Sequence, residues 1–283
     1  VMNKWIAGAR PKTLPAAIAP VAVATALAGE SWDLVLALLA LLVSLALQVG
    51  VNYANDYSDG VKGTDDNRIG PMRLVASGAA PAHHVKSAAY IALGIGAVFG
   101  LILALQTSLW LIAVGALAIA AAWGDTGGKN PYGYFGFGEL SVFVFFGLVA
   151  TMGTYYAQTG ELTLDSLLIA IPMGCLSCAL LAINNLRDRA ADELVGKRTL
   201  AVRLGDSSAR KAFISLLLIA HISVLFLVQT WTLLTLLLLP MTFSLIKAVR
   251  AGAQGAQLIP LLGKTGKLQL RFAILLSLGL LLS

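Results

Sequence analysis

The sequence predicts an all-α integral membrane protein, and three observations carry that prediction. Of 283 residues, 58% are hydrophobic and only 12% are charged, with a mean hydropathy of +0.82, far outside the range of soluble domains. Apolar runs of roughly 17 to 25 residues, the length a helix needs to cross a bilayer core, recur along the chain. The 20 Lys and Arg residues fall only in alternate connecting segments.

The first helix is expected near 13–29, after Lys4, Arg10 and Lys12, and continues without a small-residue cleavage site, so it reads as an anchor that stays. The second, near 34–55, ends in NDYSDGVKGTDD. A third near 84–106 and a shorter fourth near 109–124 are separated by QTS. The fifth, near 137–158, and the sixth, near 164–187, flank QTGELTLD, and the sixth ends in NNLRDRAAD. The seventh and eighth, near 208–229 and 231–249, meet at QTW, and the last lies near 267–283. The expectation is a nine-helix transmembrane bundle around a central cavity, forming one domain over 1–283.

Starting with the N-terminus inside, every Lys and Arg falls on the cytoplasmic side. The outer loops carry Glu30, Asp33, Glu161 and Asp165. This segregation predicts nine spans with a cytoplasmic N-terminus. The net charge of +6 then reflects topology and attraction to anionic lipid, and nucleic acid is not needed to explain it. Cys175 and Cys178 form a CxxC inside one apolar helix with no second pair to complete a zinc site, so they read as packing residues. His221 reads as structural, and His83 and His84 as solvated residues at a helix start.

Two Asn/Asp clusters carry the chemistry. Asn184, Asp188 and Asp192 stand at i, i+4 and i+8, on one face of a helix. Asn55 and Asp59 repeat the start of that spacing; a third carboxylate follows at Asp65, after Gly60 and Gly63, which are expected to break the helix. Asp56 and Asp66 lie close by. A basic loop follows each cluster, RIGPMRLVASG and GKRTLAVRLG, and the repetition reads as an internal duplication. Hard oxygen ligands suit Mg²⁺, which binds through a few carboxylates together with substrate phosphate oxygens. Two such ions on one diphosphate, with Arg and Lys on the same oxygens, and a cavity for an apolar remainder fit an amphiphile with a diphosphate head and a long hydrocarbon tail. Border acids of this kind are functional by default.

With these motifs in view, the sequence resembles the UbiA superfamily of intramembrane aromatic prenyltransferases. The resemblance rests on ARPKTLPAAIAP, NDYSDGVKGTDDNRIGPMR, GGKNPYGYFGFGEL and NNLRDRAADELVGKRTLAVRLG, and runs to about residue 250. It implies a cytoplasm-facing cavity in the cell's inner (cytoplasmic) membrane, and transfer of a polyprenyl group from its diphosphate to 1,4-dihydroxy-2-naphthoate, with decarboxylation, in menaquinone biosynthesis. By motif position, Asn55, Asp56, Asp59, Asp65, Asn184, Asp188 and Asp192 are implied as the metal set. Of these, Asp56, Asp59, Asp188 and Asp192 are implied as catalytic. Lys62, Arg68, Arg73, Lys129, Lys197 and Arg198 are implied for diphosphate, with Arg73 and Lys129 preferred, and Arg10, Tyr132 and Tyr134 for the aromatic substrate. Asp125 departs from the pattern, which has an aromatic residue there. A CDP-alcohol phosphatidyltransferase would share Asp56-x-x-Asp59-Gly60 but needs an Ala-Arg pair and two further Asp that are missing. A transporter built on inverted repeats would carry its polar residues at the bilayer midplane, whereas these clusters lie at helix ends.

Overall fold

A computed structural model describes residues 3–65 and 70–283. Among these residues there is no strand. The long helices are α1 Pro15–Leu27, α2 Leu34–Lys62, α3 Ala82–Gln106 and α4 Trp110–Gly124, then α5 Gly138–Thr159, α6 Leu164–Leu194, α7 Leu200–Val224, α8 Thr230–Arg250 and α9 Leu258–Leu281. A helix occupies each of the predicted segments. Six of them, α2, α3, α5, α6, α7 and α8, are long and apolar enough to cross a bilayer. In α9, Lys264, Lys267 and Arg271 interrupt the apolar run, while α1 and α4 are short.

Local chemistry sets the ends. Asp33 caps α2 by accepting a hydrogen bond from the Leu36 amide (2.9 Å), and Thr163 and Ser166 form a reciprocal capping box at the start of α6, so orphan helix-start donors are satisfied. The predicted break at Gly60 does not occur: α2 runs through it and ends at Gly63, whose φ of 70° gives the left-handed helix stop. Glycine at position 60 serves close packing within the helix: Val75 of the following loop lies directly on it, where a Cβ would be 2.5 Å from the Val75 Cβ. The sixth helix likewise outruns its predicted end, carrying Asp188 and Asp192 within it. Phe143–Val149 of α5 winds as π-helix, a feature often found beside functional sites, and α7 bends at Gly205.

The core gathers on α6. Ile169, Met173, Leu176, Leu180 and Ile183 recur at helical spacing and are buried against Phe213 and Leu217 of α7 and Phe272 and Leu276 of α9. In its most apolar stretch 72% of α6 is buried, against 22% for α2 and α5, so α6 is the central post. The outer helices face the other way. On α3, Ile91, Ile95, Val98, Ile102 and Leu105 form an exposed apolar stripe, a surface that water disfavours and hydrocarbon accepts. The chain is a multi-pass membrane protein.

The two ends of the bundle differ. At one end, Gln158 and the Asp33 backbone exchange hydrogen bonds of 2.6 and 3.1 Å, tying α5 to the start of α2. At the other, α2, α4 and α6 end beside one another, and the loops that follow them interlock. Lys62 donates to the Thr126 carbonyl (2.9 Å), and the Arg198 amide donates to the Tyr134 carbonyl (3.0 Å).

Candidate active site

The shared end of α2, α4 and α6 holds most of the polar side chains singled out by the sequence. Asp59 is 3% exposed and accepts from Tyr134 Oη (2.6 Å) and Lys197 Nζ (3.1 Å). Those donors come from the α4–α5 and α6–α7 loops, so one carboxylate knits three parts of the chain together. Lys62 and Lys197 lie over the Tyr134 ring at 4.5 and 4.8 Å from its centroid, within cation–π range. Asn55 accepts from Thr126 Oγ1 (2.7 Å).

Lys197 couples the two clusters. Burial alone would push its pKa down, but Asp59, Asp192 and Asp65 outweigh that and leave it raised. Asp65 pairs with Arg73 (3.0 Å). On α6, Arg187 grips Asp188 with two hydrogen bonds of 2.7 Å, and its guanidinium lies against Gly70, in the loop after the first cluster. Asp192 is buried and Asn184 Oδ1 is buried without a hydrogen-bond partner.

Other predicted residues sit differently. Asp56, expected among the metal ligands, is fully buried, and its two oxygens accept from the Leu74 and Val75 amides (2.9 and 3.0 Å). It therefore anchors the 70–77 loop onto α2. Lys129, a preferred diphosphate residue, is exposed on a bend between α4 and α5. Arg198 is exposed and is tied in through its backbone. Arg10 donates to the Asn52 carbonyl (3.1 Å), one helical turn before Asp56. Asn52 in turn donates to the Ala9 carbonyl (2.9 Å) and to Thr13 Oγ1 (3.1 Å). Arg68 and Asp66 lie outside the described residues.

The two tyrosines divide. Tyr134 belongs to the polar cluster; burial first, then Asp59, pushes its hydroxyl pKa up. Tyr132 donates to the Ala121 carbonyl and pairs with Ser141 (both 2.7 Å), and lines an apolar cavity, open to its surroundings, that runs between α1, α2, α3, α4 and α5. Burial, then Asp125, raises the Tyr132 hydroxyl to about 12. Asp125 caps α4 where this cavity meets the polar cluster. Burial raises its carboxyl to about 6; Lys197 opposes that, Asp59 adds to it, and a hydrogen bond from Asn55 opposes it. Sequence reasoning missed Thr126, which no motif marks, and the Asn185–Glu139 hydrogen bond (2.9 Å), hidden in the second Asn of the Asn-Asn pair.

Among the described residues no three carboxylate, His or Cys side chains already converge on one point as a metal cage. The donor set nevertheless fits Mg²⁺, which keeps several waters and needs only one or two carboxylates beside substrate phosphate oxygens. Asn184 Oδ1, a buried hard oxygen with no partner, is the kind of group such an ion satisfies.

Comparison with known proteins gives a consistent picture. The model of the UbiA prenyltransferase family matches residues 17–256. A relative named 1,4-dihydroxy-2-naphthoate octaprenyltransferase from Mycobacterium tuberculosis is 50% identical over 275 residues, covering 96% of this chain and 94% of its own. One of the same name from Escherichia coli is 38% identical, covering 99% and 95%. Among solved structures, a UbiA homolog from Archaeoglobus fulgidus, described as bound to DMAPP and Mg²⁺, superposes with a TM-score of 0.68 at 15% identity over 99% of both chains. One from Aeropyrum pernix K1 gives 0.62 at 15% identity over 95% and 97%.

Proposed function

Since the chain belongs to the UbiA prenyltransferase family, we propose that it transfers a polyprenyl group from polyprenyl diphosphate to 1,4-dihydroxy-2-naphthoate, releasing carbon dioxide and diphosphate. The product is demethylmenaquinone, formed at its quinol oxidation level, so the enzyme acts in menaquinone biosynthesis. Relatives at 38 to 50% identity that carry this activity in their names support the assignment of reaction and acceptor. The observation that carries the site assignment is Lys197, a partly buried cation that pairs with Asp59 of one Asn/Asp cluster (3.1 Å) and feels the charge of Asp192 of the other.

The diphosphate head lies between the clusters. Asn55, Asp59 and Asp65 from one side and Asn184, Asp188 and Asp192 from the other would hold two Mg²⁺ ions, and Lys62, Arg73 and Lys197 would contact the same head group. Bound Mg²⁺ neutralises charge on the departing diphosphate. The protein's own cations act in the same direction, most strongly where charge develops on the leaving oxygen in a water-poor site. The allylic C–O bond breaks, and the ring carbon bearing the carboxylate forms the new C–C bond. Loss of carbon dioxide returns the electron pair to the ring, so no external base is needed at that carbon. The prenyl chain occupies the apolar cavity lined by Val21, Leu47, Val114 and Phe145, which excludes water from the cation.

The chain forms one transmembrane unit of nine spans, with its N-terminus and active site facing the cytoplasm across the cell's inner membrane. The support is the segregation of Lys and Arg, read with the clustering of the acids at one end of the bundle. Purified protein supplied with polyprenyl diphosphate, 1,4-dihydroxy-2-naphthoate and Mg²⁺ is expected to release diphosphate and yield a product of the prenylated, decarboxylated mass. Exchange of a CDP-alcohol, or no product under any acceptor, would contradict the assignment.

A further inference from the structure

The cavity beside the polar cluster is almost wholly apolar, and its polar lining side chains are Ser44, Asp125, Tyr132, Ser141 and Thr154. The hydroxyls are already committed. Ser44 donates to the Ala17 carbonyl (2.9 Å), and Thr154 to the Ala150 carbonyl (2.6 Å). Tyr132 donates to the Ala121 carbonyl and accepts from Ser141 (both 2.7 Å). Asp125 is different in kind. It is the only acidic side chain among the described lining residues, and a carboxylate can accept about four hydrogen bonds.

Its backbone is fixed. The Asp125 amide closes the last turn of α4 on the Ala121 carbonyl (3.1 Å), and its own carbonyl accepts from the Gly133 amide (2.9 Å). Asn55, which accepts from Thr126 (2.7 Å), lies beside the carboxylate and lowers its pKa. One flank of Asp125 thus faces the polar cluster and the other faces the cavity. A prenyl chain offers nothing to a carboxylate, and burying one beside hydrocarbon alone is unfavourable. The aromatic acceptor does offer something, namely two ring hydroxyls and one carboxylate. The 1-hydroxyl lies next to the 2-carboxylate and bonds to it internally. Bringing that edge to Asp125 would set two carboxylates against each other. The 4-hydroxyl, on the far side of the ring, is free to donate.

We propose that Asp125 is a specificity-determining residue for the aromatic acceptor, accepting a hydrogen bond from its 4-hydroxyl and so turning the 2-carboxylate edge away, toward the diphosphate site. The reacting carbon, which bears that carboxylate, is thereby directed at the allylic end of the prenyl chain. The inference rests on the reaction assigned above. It makes this neck of the cavity a reader of the acceptor's hydroxyl pattern, because a site built to bond a hydroxyl discriminates strongly against an analogue that lacks it.

The test uses two monohydroxy analogues, 1-hydroxy-2-naphthoate and 4-hydroxy-2-naphthoate, as competitive inhibitors of the full reaction. Wild-type turnover of the diol is the control, and its failure would count against the reaction assignment and not against this role of Asp125. In the wild type the analogue retaining the 4-hydroxyl is expected to bind more tightly. In Asp125→Leu the ratio of the two inhibition constants should fall by on the order of tenfold, the size of a charge-assisted hydrogen bond, with the Michaelis constant for prenyl diphosphate changed far less. Asp125→Asn, which keeps an acceptor oxygen of the same shape, should restore part of the preference, and Asp125→Ala, which has no acceptor, takes the place of the Leu variant if that fails to fold. An unchanged inhibitor ratio in the Leu or Ala variant, or a loss confined to prenyl diphosphate binding, would overturn the proposal and leave Asp125 as a support for Asn55.

Discussion

The two Asn/Asp clusters share a spacing but are built differently. The α2 cluster is held from outside: Asp56 by loop amides, Asp59 by Tyr134 and Lys197, and Asp65 by Arg73. The α6 cluster stays within one continuous helix, and its Asp188 is held by the neighbouring Arg187. The helix therefore presents Asn184, Asp188 and Asp192 on a rigid face, whereas the first cluster depends on three loops being docked. Equal spacing therefore does not impose equal surroundings: Asp59 is held by donors from two loops, whereas its counterpart Asp188 is held by its own neighbour on the helix.

That contrast can be broken by substitution. The largest effect is expected for Asp59→Ala, which removes a diphosphate-site carboxylate and leaves Lys197 buried without its closest partner. Turnover should fall by on the order of 100-fold or more, measured as diphosphate release at saturating Mg²⁺. Near wild-type rates would remove Asp59 from the chemistry. Asp56→Ala should instead act on stability. It orphans two backbone donors, each costing about 1–3 kcal/mol when buried, so the melting temperature in detergent should drop while the folded fraction keeps most of its turnover. A stable but inactive Asp56→Ala would put Asp56 back among the catalytic acids.

The cations come next. Lys197→Ala should lower kcat/KM for prenyl diphosphate by about tenfold, equivalent to about 1.4 kcal/mol, while Lys129→Ala, on its exposed bend, should stay within about twofold. A reversed order would mean that the α4–α5 loop carries Lys129 onto the substrate. The smallest change is expected for Tyr134→Phe, which deletes one hydrogen bond to Asp59. Its cost should be about 1 kcal/mol, read as a few-fold loss in turnover with the melting temperature nearly unchanged.

Much of this was legible in the sequence. Apolar length and periodicity located a helix in each predicted segment, and the Asn-x-x-x-Asp repetition located the acids. What the sequence did not show has physical causes. Gly60 looked like a helix breaker, yet a residue without Cβ was needed where Val75 presses on α2. Asp56 and Asp59 are chemically identical in sequence, and only the fold decides that loop amides meet one while Lys197 and Tyr134 meet the other. Lys129 and Lys197 look equivalent for the same reason. Asp125 stood out as a departure, but its meaning depends on the cavity wall beside it, assembled from helices far apart in the chain.

Both clusters together are expected to serve one diphosphate. The most direct measurement is calorimetric binding of a non-hydrolysable prenyl thiodiphosphate with Mg²⁺ to the wild type, Asp59→Asn, Asp188→Asn and the double variant. If the two clusters hold one head group, each single variant should lose most of the affinity, and the double variant should be little weaker than either, the strong non-additivity expected of groups that act as a unit. Independent, additive losses, or an Asp188→Asn protein that binds as tightly as the wild type, would contradict the account.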